Sequence, residues 1–117
     1  MDRRALGLRG EGVARRFLEE RGYRILEENF TCPWGEIDLI AEEGGVLVFV
    51  EVKARRSTQF GRPAEAVHGR KLRQILRVAE AYMTSRRVKA PCRVDVVAIE
   101  FPHDASEPMV ELIRDAV

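Results

Sequence analysis

The chain is poor in the residues that build disulfide frameworks and zinc sites. Cys32 and Cys92 are its only cysteines, and they form no pattern. Two unpatterned cysteines exclude both architectures and are expected to be reduced, as in a cytoplasmic protein. His68 and His103 have no Cys or His neighbour at ligand spacing and receive no role. No apolar run approaches the ~18 residues of a membrane span. The N-terminal Met1-Asp2-Arg3-Arg4 lacks the apolar core of a secretory signal, so a cytoplasmic location is expected. Internal repeats, linkers and low-complexity stretches are absent as well. With 117 residues, 45% of them hydrophobic, the chain fits one domain over 1–117 with one core.

Charge is abundant but unevenly spread. Residues 53–93 hold twelve Lys or Arg and two acids, a net +10. The remainder holds eight basic and seventeen acidic side chains, a net −9, so the whole chain carries only +1. A basic block this strong inside a near-neutral protein suggests a surface for phosphates. The alternative is a solvated helix face bridged to the acidic part.

Hydrophobic spacing orders the elements. A helix is expected over 2–21, ending at Gly22, with Ala14, Phe17 and Leu18 on one stripe. Glu11 shares that inward stripe, and Gly7 and Gly10 beside it keep the face thin enough for a close approach. Strands are expected over 23–30, 36–42 and 46–54, joined by a loop at 31–35 and a turn at 43–45 as an antiparallel meander. Residues 55–62 form an arginine-rich loop, and Pro63 suits the first turn of a helix. A helix over 69–87 packs through Leu72, Ile75 or Leu76, Ala79, Tyr82 and Met83. A strand over 93–101 then runs parallel to the third, because a helical crossover separates them, and a short edge strand covers 109–114. The fold class is α/β, α-β-β-β-α-β-β, a mixed sheet with helices against it.

The chemistry centres on Asp38 and on Glu51-Val52-Lys53. Val46 to Lys53 is a nearly unbroken apolar run, and charges in a buried strand need partners. Period-two alternation sends Glu51 and Lys53 from one face of the sheet, and places Glu36, Asp38 and Ile40 together opposite Ile37 and Leu39. An Asp on the neighbouring strand makes a carboxylate pair beside an ammonium. Two carboxylates at close range repel unless a proton or divalent cation lies between them. Asp38 and Glu51 are oxygen ligands of the kind Mg²⁺ or Mn²⁺ takes, with the Val52 carbonyl as a further ligand and Glu11 completing the set directly or through water. Lys53 would orient the attacking water or offset charge on the phosphorane oxygens, and without metal would pair with the carboxylates. The bland alternative is a buried salt bridge of Lys53 with Glu51 or Asp38. For nucleic acid, Arg55, Arg56 and Arg62 after the site would clamp phosphates, and Lys71 would reach the backbone from its helix. Gln59 and Glu36 have supporting roles or are ordinary surface residues. Trp34 either stacks on a base or covers the core edge. Asp95 faces the site or pairs with an arginine.

The order helix Glu11, strand Asp38, strand Glu51-x-Lys53 resembles the PD-(D/E)xK nuclease superfamily, with the restriction-endonuclease-like fold, and within it most resembles the Holliday-junction resolvases. Ile37 stands where the superfamily motif usually has Pro. The match extends to Gly10-Glu11, Ala14, Gly22-Tyr23, Asn29, Gly35-Glu36-Ile37-Asp38-Leu39-Ile40, Phe49 to Arg55, Lys71 and Asp95-Val96-Val97, which are similar to the YraN-type family of uncharacterised bacterial proteins. The resemblance implies nuclease ancestry, and the expected function is a Mg²⁺- or Mn²⁺-dependent endonuclease on DNA, selective for branched or damaged structures because a small domain without an added reading module has little surface for base edges. The alternative is a nucleic-acid-binding module that keeps the fold and no longer cuts. Symmetric cutting of two strands would suit a homodimer.

Overall fold

The computed structural model describes residues 2–57, 69–104 and 107–117. Seven elements follow one another as expected, α-β-β-β-α-β-β: α1 Arg3–Glu20, β1 Arg24–Cys32, β2 Gly35–Glu43, β3 Val46–Arg56, α2 Gly69–Ser85, β4 Cys92–Phe101 and β5 Met109–Ile113. The Asp2 carboxylate caps α1 by accepting the Ala5 N–H at 2.8 Å. The five strands form one mixed sheet in sequence order. β1, β2 and β3 make the antiparallel meander, β4 runs parallel to β3 after the α2 crossover, and β5 is the antiparallel edge. No helix among the described residues is long and apolar enough to cross a membrane.

Most boundaries shift by one or two residues from the sequence expectation, and two of the shifts bear on the site. Cys32 pairs with Gly35, so the first hairpin closes through Pro33 and Trp34 alone and not through a five-residue loop. β3 runs on to Arg56, because β4 keeps pairing with it through Arg55↔Glu100 and Arg56↔Phe101. Arg55 and Arg56 therefore belong to a strand and not to the following loop.

The two helices cover opposite faces. Ala14 and Leu18 of α1 pack with Leu39, Ala41, Val48, Val50, Val97 and Ile99. Ile75, Val78, Ala79 and Tyr82 of α2 pack with Ile37, Ile40, Leu47, Phe49 and Val94. Of the Ile75 and Leu76 pair, Ile75 turns inward and Leu76 stays exposed. Gly10 permits the α1 contact: a Cβ there would stand 2.7 Å from the Ala54 Cβ on β3. Gly35 does the same for α2, since its Cβ would meet the Gln74 Nε2 at 2.8 Å. Gly7, by contrast, faces open space.

The sheet forks. β2 and β3 pair only from Glu43↔Val46 to Leu39↔Val50. Beyond Leu39, β2 stays with β1 down to Gly35, while β3 stays with β4 up to Arg56. The alternation of β2 switches at the same point. Ile37 packs on the α2 side and Leu39 on the α1 side, although period two would place them on one face. The expected grouping of Ile37 with Leu39 is thus corrected. A regular pleat needs a continuous ladder, and the ladder toward β3 ends at Leu39.

Candidate functional site

Asp38 occupies the crotch of the fork. Its Oδ2 accepts the Val52 N–H at 2.8 Å, so a side chain takes the place of the missing backbone rung. Val52 lies between Glu51 and Lys53 on β3. Glu51 is 8% exposed, one step beyond the last β2–β3 pair. Its Oε2 lies 3.3 Å from the Lys71 Nζ on α2. Burial pushes the Glu51 carboxyl up to about 8, helped by a hydrogen bond and negative charge from Asp38 and opposed by Lys71. The site therefore holds two carboxyls that resist being ionised together.

Glu11 stands on the α1 side and lines a cleft of about 510 Å³ with Asp38, Val52, Lys53, Ala54 and Arg55. Its carboxyl is also raised, first by burial and then by the charges of Asp38, Glu28 and Glu36. Glu36 is exposed and adds to this acidic field without entering the core. On the α2 side a second cleft, of about 630 Å³, is lined by Trp34, Lys53, Arg70, Lys71, Arg73, Gln74 and Arg77. Lys53 borders both clefts and makes no ion pair among the described residues.

The fork thus gathers Glu11, Asp38, Glu51 and Lys53 into one region. The pairing differs from expectation: Lys71, not Lys53, holds Glu51. Lys71 reaches Glu51 from the second residue after the start of α2. Lys71 accordingly points into the site. Arg55 bonds the Glu100 carboxylate at 3.2 Å across the β3–β4 ladder, and Arg56 follows it at the end of β3. Arg62, Gln59 and Pro63 lie outside the described residues.

Asp95 takes the arginine alternative. It is fully buried on the α1 side, where it accepts from the Tyr23 hydroxyl at 2.7 Å, the Arg93 Nε at 3.0 Å and the Asp115 N–H at 2.9 Å. Arg93 reaches on to Glu43 at 2.8 Å, which also receives Arg114 at 2.9 Å. This network ties the chain end to the sheet.

Asp38 and Glu51 suit a hard divalent cation, which would relieve the repulsion that raises Glu51. A ready-made three-acid set is not present: among the described residues no three His, Cys, Asp or Glu side chains are grouped to hold a metal. Asp38 and Glu51 form a carboxylate pair, and Glu11 stands at the cleft wall beside Asp38.

Sequence reasoning did not assemble the cationic cleft. Arg70, Arg73, Gln74 and Arg77 recur at three or four residues along one stripe of α2, beside the apolar stripe. That spacing was the available signal. Nothing in the sequence showed that the stripe would face Trp34 and Lys53.

Comparison with known proteins places these residues in a family. A family model described as "Uncharacterised protein family UPF0102" matches residues 10–99, a span that includes Glu11, Asp38, Glu51, Lys53 and Lys71. A UPF0102 protein of Caldicellulosiruptor saccharolyticus is 48% identical over 117 residues, covering 99% of each chain. One from Moorella thermoacetica is 44% identical over 117 residues, covering 99% of this chain and 98% of its own. One from Rhodococcus opacus is 47% identical over 113 residues, covering 96% and 95%. The chain belongs to the UPF0102 family, the YraN-type family that its strand motifs resemble.

Proposed function

We propose that this protein is a divalent-metal-dependent nuclease that hydrolyses phosphodiester bonds in DNA, with a preference for branched or damaged structures. The observation that carries the reading is the Asp38–Glu51 pair at the fork, with Glu51 raised first by burial and then by Asp38, and Lys53 beside it. A protein has little reason to force two carboxyls together in a partly buried cleft unless the pair has a ligand. Asp38 and Glu51 would hold Mg²⁺ or Mn²⁺, which supplies Lewis-acid polarisation of the phosphoryl oxygen and an activated water.

The chain's own groups supply the rest. The Val52 N–H fixes the Asp38 carboxylate in one orientation. Lys53, without an ion-pair partner among the described residues, orients the attacking water and offsets charge on the phosphorane oxygens. Lys71 lies 3.3 Å from Glu51 in the resting site and is free to meet a phosphate once Glu51 turns to its ligand. The cationic cleft steers and holds the backbone. Selection by structure is favoured over selection by sequence, because a small domain without an added reading module has little surface for base edges.

Lys71 on Glu51, with no three-acid group among the described residues, favours a second reading, a binding module whose cutting site has decayed. The test is cleavage of a labelled panel of single strand, duplex, flap, four-way junction and RNA, with Mg²⁺ and with Mn²⁺. Wild type is compared with Asp38→Ala and Lys53→Ala. Cleavage that both substitutions abolish supports the nuclease. Absence of cleavage by wild type, with salt-sensitive binding in all three proteins, refutes it in favour of the module.

A further inference from the structure

Trp34 is the only tryptophan of the chain, and it is 49% exposed at the tip of the first hairpin. It does not cover the core. An exposed indole is also not a loose one here. Its backbone carbonyl accepts the Gln74 Nε2 at 3.3 Å, and the close seat of Gly35 on Gln74 clamps the hairpin tip to α2. The Arg77 guanidinium lies over the indole, 3.9 Å from the ring centroid.

What lies around the plane narrows its ligand. Trp34 and Arg77 form a wall shared by two hollows. One is the cationic cleft of about 630 Å³, with Lys53 also on its lining. The other is a hollow of about 350 Å³ bounded by Glu80, Ala81, Thr84 and Ser85, which offer a carboxylate and two hydroxyls. A cationic channel on one side of an aromatic wall, and on the other a small, mostly apolar hollow edged by a few polar groups, suit a nucleotide. Its phosphates run in the channel, its base lies against the wall, and the base edge meets the polar groups. A base inside a continuous duplex has both faces covered by its neighbours and cannot take this place.

Resting on the nucleic-acid reading above, we propose that Trp34 and Arg77 form a stacking subsite for an unpaired nucleobase next to the phosphate held near Lys53. The subsite makes single-stranded segments, such as flaps and the branch points of junctions, the substrate class. Trp34 and Arg77 are then specificity-determining residues that touch the nucleic acid without touching the reacting atoms.

The test is binding in the presence of a chelator, so that nothing is cut. Three labelled probes are compared: an oligothymidine, an abasic sugar–phosphate oligomer of the same length, and a blunt duplex. Anisotropy gives affinity, and quenching of the single tryptophan reports stacking directly. Wild type should bind oligothymidine roughly tenfold tighter than the abasic oligomer, about the contribution of one stacked base. Only oligothymidine should quench Trp34. Trp34→Ala should bring oligothymidine down to the abasic level and leave the other two probes unchanged. Arg77→Lys, which keeps the charge, should lose part of the same preference. Equal affinity for the base-bearing and abasic oligomers, or uniform weakening of all probes by Trp34→Ala, would overturn the subsite and leave the nucleic-acid reading standing. Failure of every probe to bind would overturn both.

Discussion

Replacing Glu51 by Gln should stabilise the protein at alkaline pH and leave its stability nearly unchanged at acid pH. In the folded protein the Glu51 carboxyl is raised from 4.5 to about 8, chiefly by burial and then by Asp38. Below the unfolded value the group is protonated in both states, and its stabilising contribution is fully present. Between the two values the unfolded chain releases the proton while the folded chain must keep it. Stability therefore falls as pH rises through this window, at ~1.4 kcal/mol per pH unit, and the loss is complete above the folded value. The full gap sets a ceiling of ~5 kcal/mol. Lys71 at 3.3 Å and the open clefts let the ionised group relax, so an effect of roughly 2–3 kcal/mol is expected. For a chain of this size that is a rise of ~10 °C in Tm for Glu51→Gln over wild type at pH 8.5, shrinking toward zero at pH 4.5. The assay is thermal unfolding across pH in chelator. Parallel curves for the two proteins would refute the argument, because they would mean that Glu51 titrates normally. Adding Mg²⁺ at pH 8.5 should raise the wild-type Tm and not that of Glu51→Gln, since the cation needs the ionised pair.

Three further outcomes are expected. Gly10→Ala should lower stability by about 1–2 kcal/mol in urea unfolding, because its Cβ meets the Ala54 Cβ, whereas Gly12→Ala, which faces open space, should gain about 0.5–1 kcal/mol from helix propensity. Equal signs on the two would count against the close seat of α1 on β3. Asp95→Ala should cost about 3–5 kcal/mol by leaving Arg93 and Tyr23 without their buried acceptor, with cation binding at the fork unchanged; loss of cation binding without loss of stability would contradict the structural role. Lys71→Met should tighten Mn²⁺ binding about fivefold by calorimetry, since it removes the cation that competes for Glu51; weaker binding would mean that Lys71 supports the ligand.

Most of the architecture was legible in the chain. The buried run from Val46 to Lys53, the Gly44-Gly45 turn and the apolar stripe of α2 each have a local cause, and local causes are written in spacing. The parallel pairing of β3 with β4 followed from the helix between them. What could not be read depends on where a ladder stops. Period two applied to β2 put Ile37 with Leu39, and failed because pairing with β3 ends at Leu39↔Val50. The extension of β3 through Arg55 and Arg56 escaped for the matching reason: a neighbouring strand decides where a polar strand end stays paired. At the site, Asp38, Glu51 and Lys53 could be named from their odd setting among apolar residues. Lys71 as the partner of Glu51 could not, since twenty residues separate them and only the crossover brings them together. Asp95 was undecided in sequence because alternation gives a face and not a partner.

The fork has a consequence for how this protein can vary. A zipper opened part-way has two free tapes, each still stiff because its outer seam is sewn. Here the β1–β2 tape is fastened to α2 through Gly35 and Gln74, and the β3–β4 tape to α1 through Gly10 and Ala54. The acids sit at the slider, where neither tape can bend without breaking the Asp38–Val52 bond. The tape ends, Trp34 on one and Arg56 on the other, lie beyond the slider. On the nuclease reading proposed above, they are the parts that would be recut in length or residue type while the slider stays where it is, fitting one centre to differently shaped nucleic acids by tailoring its two ends alone.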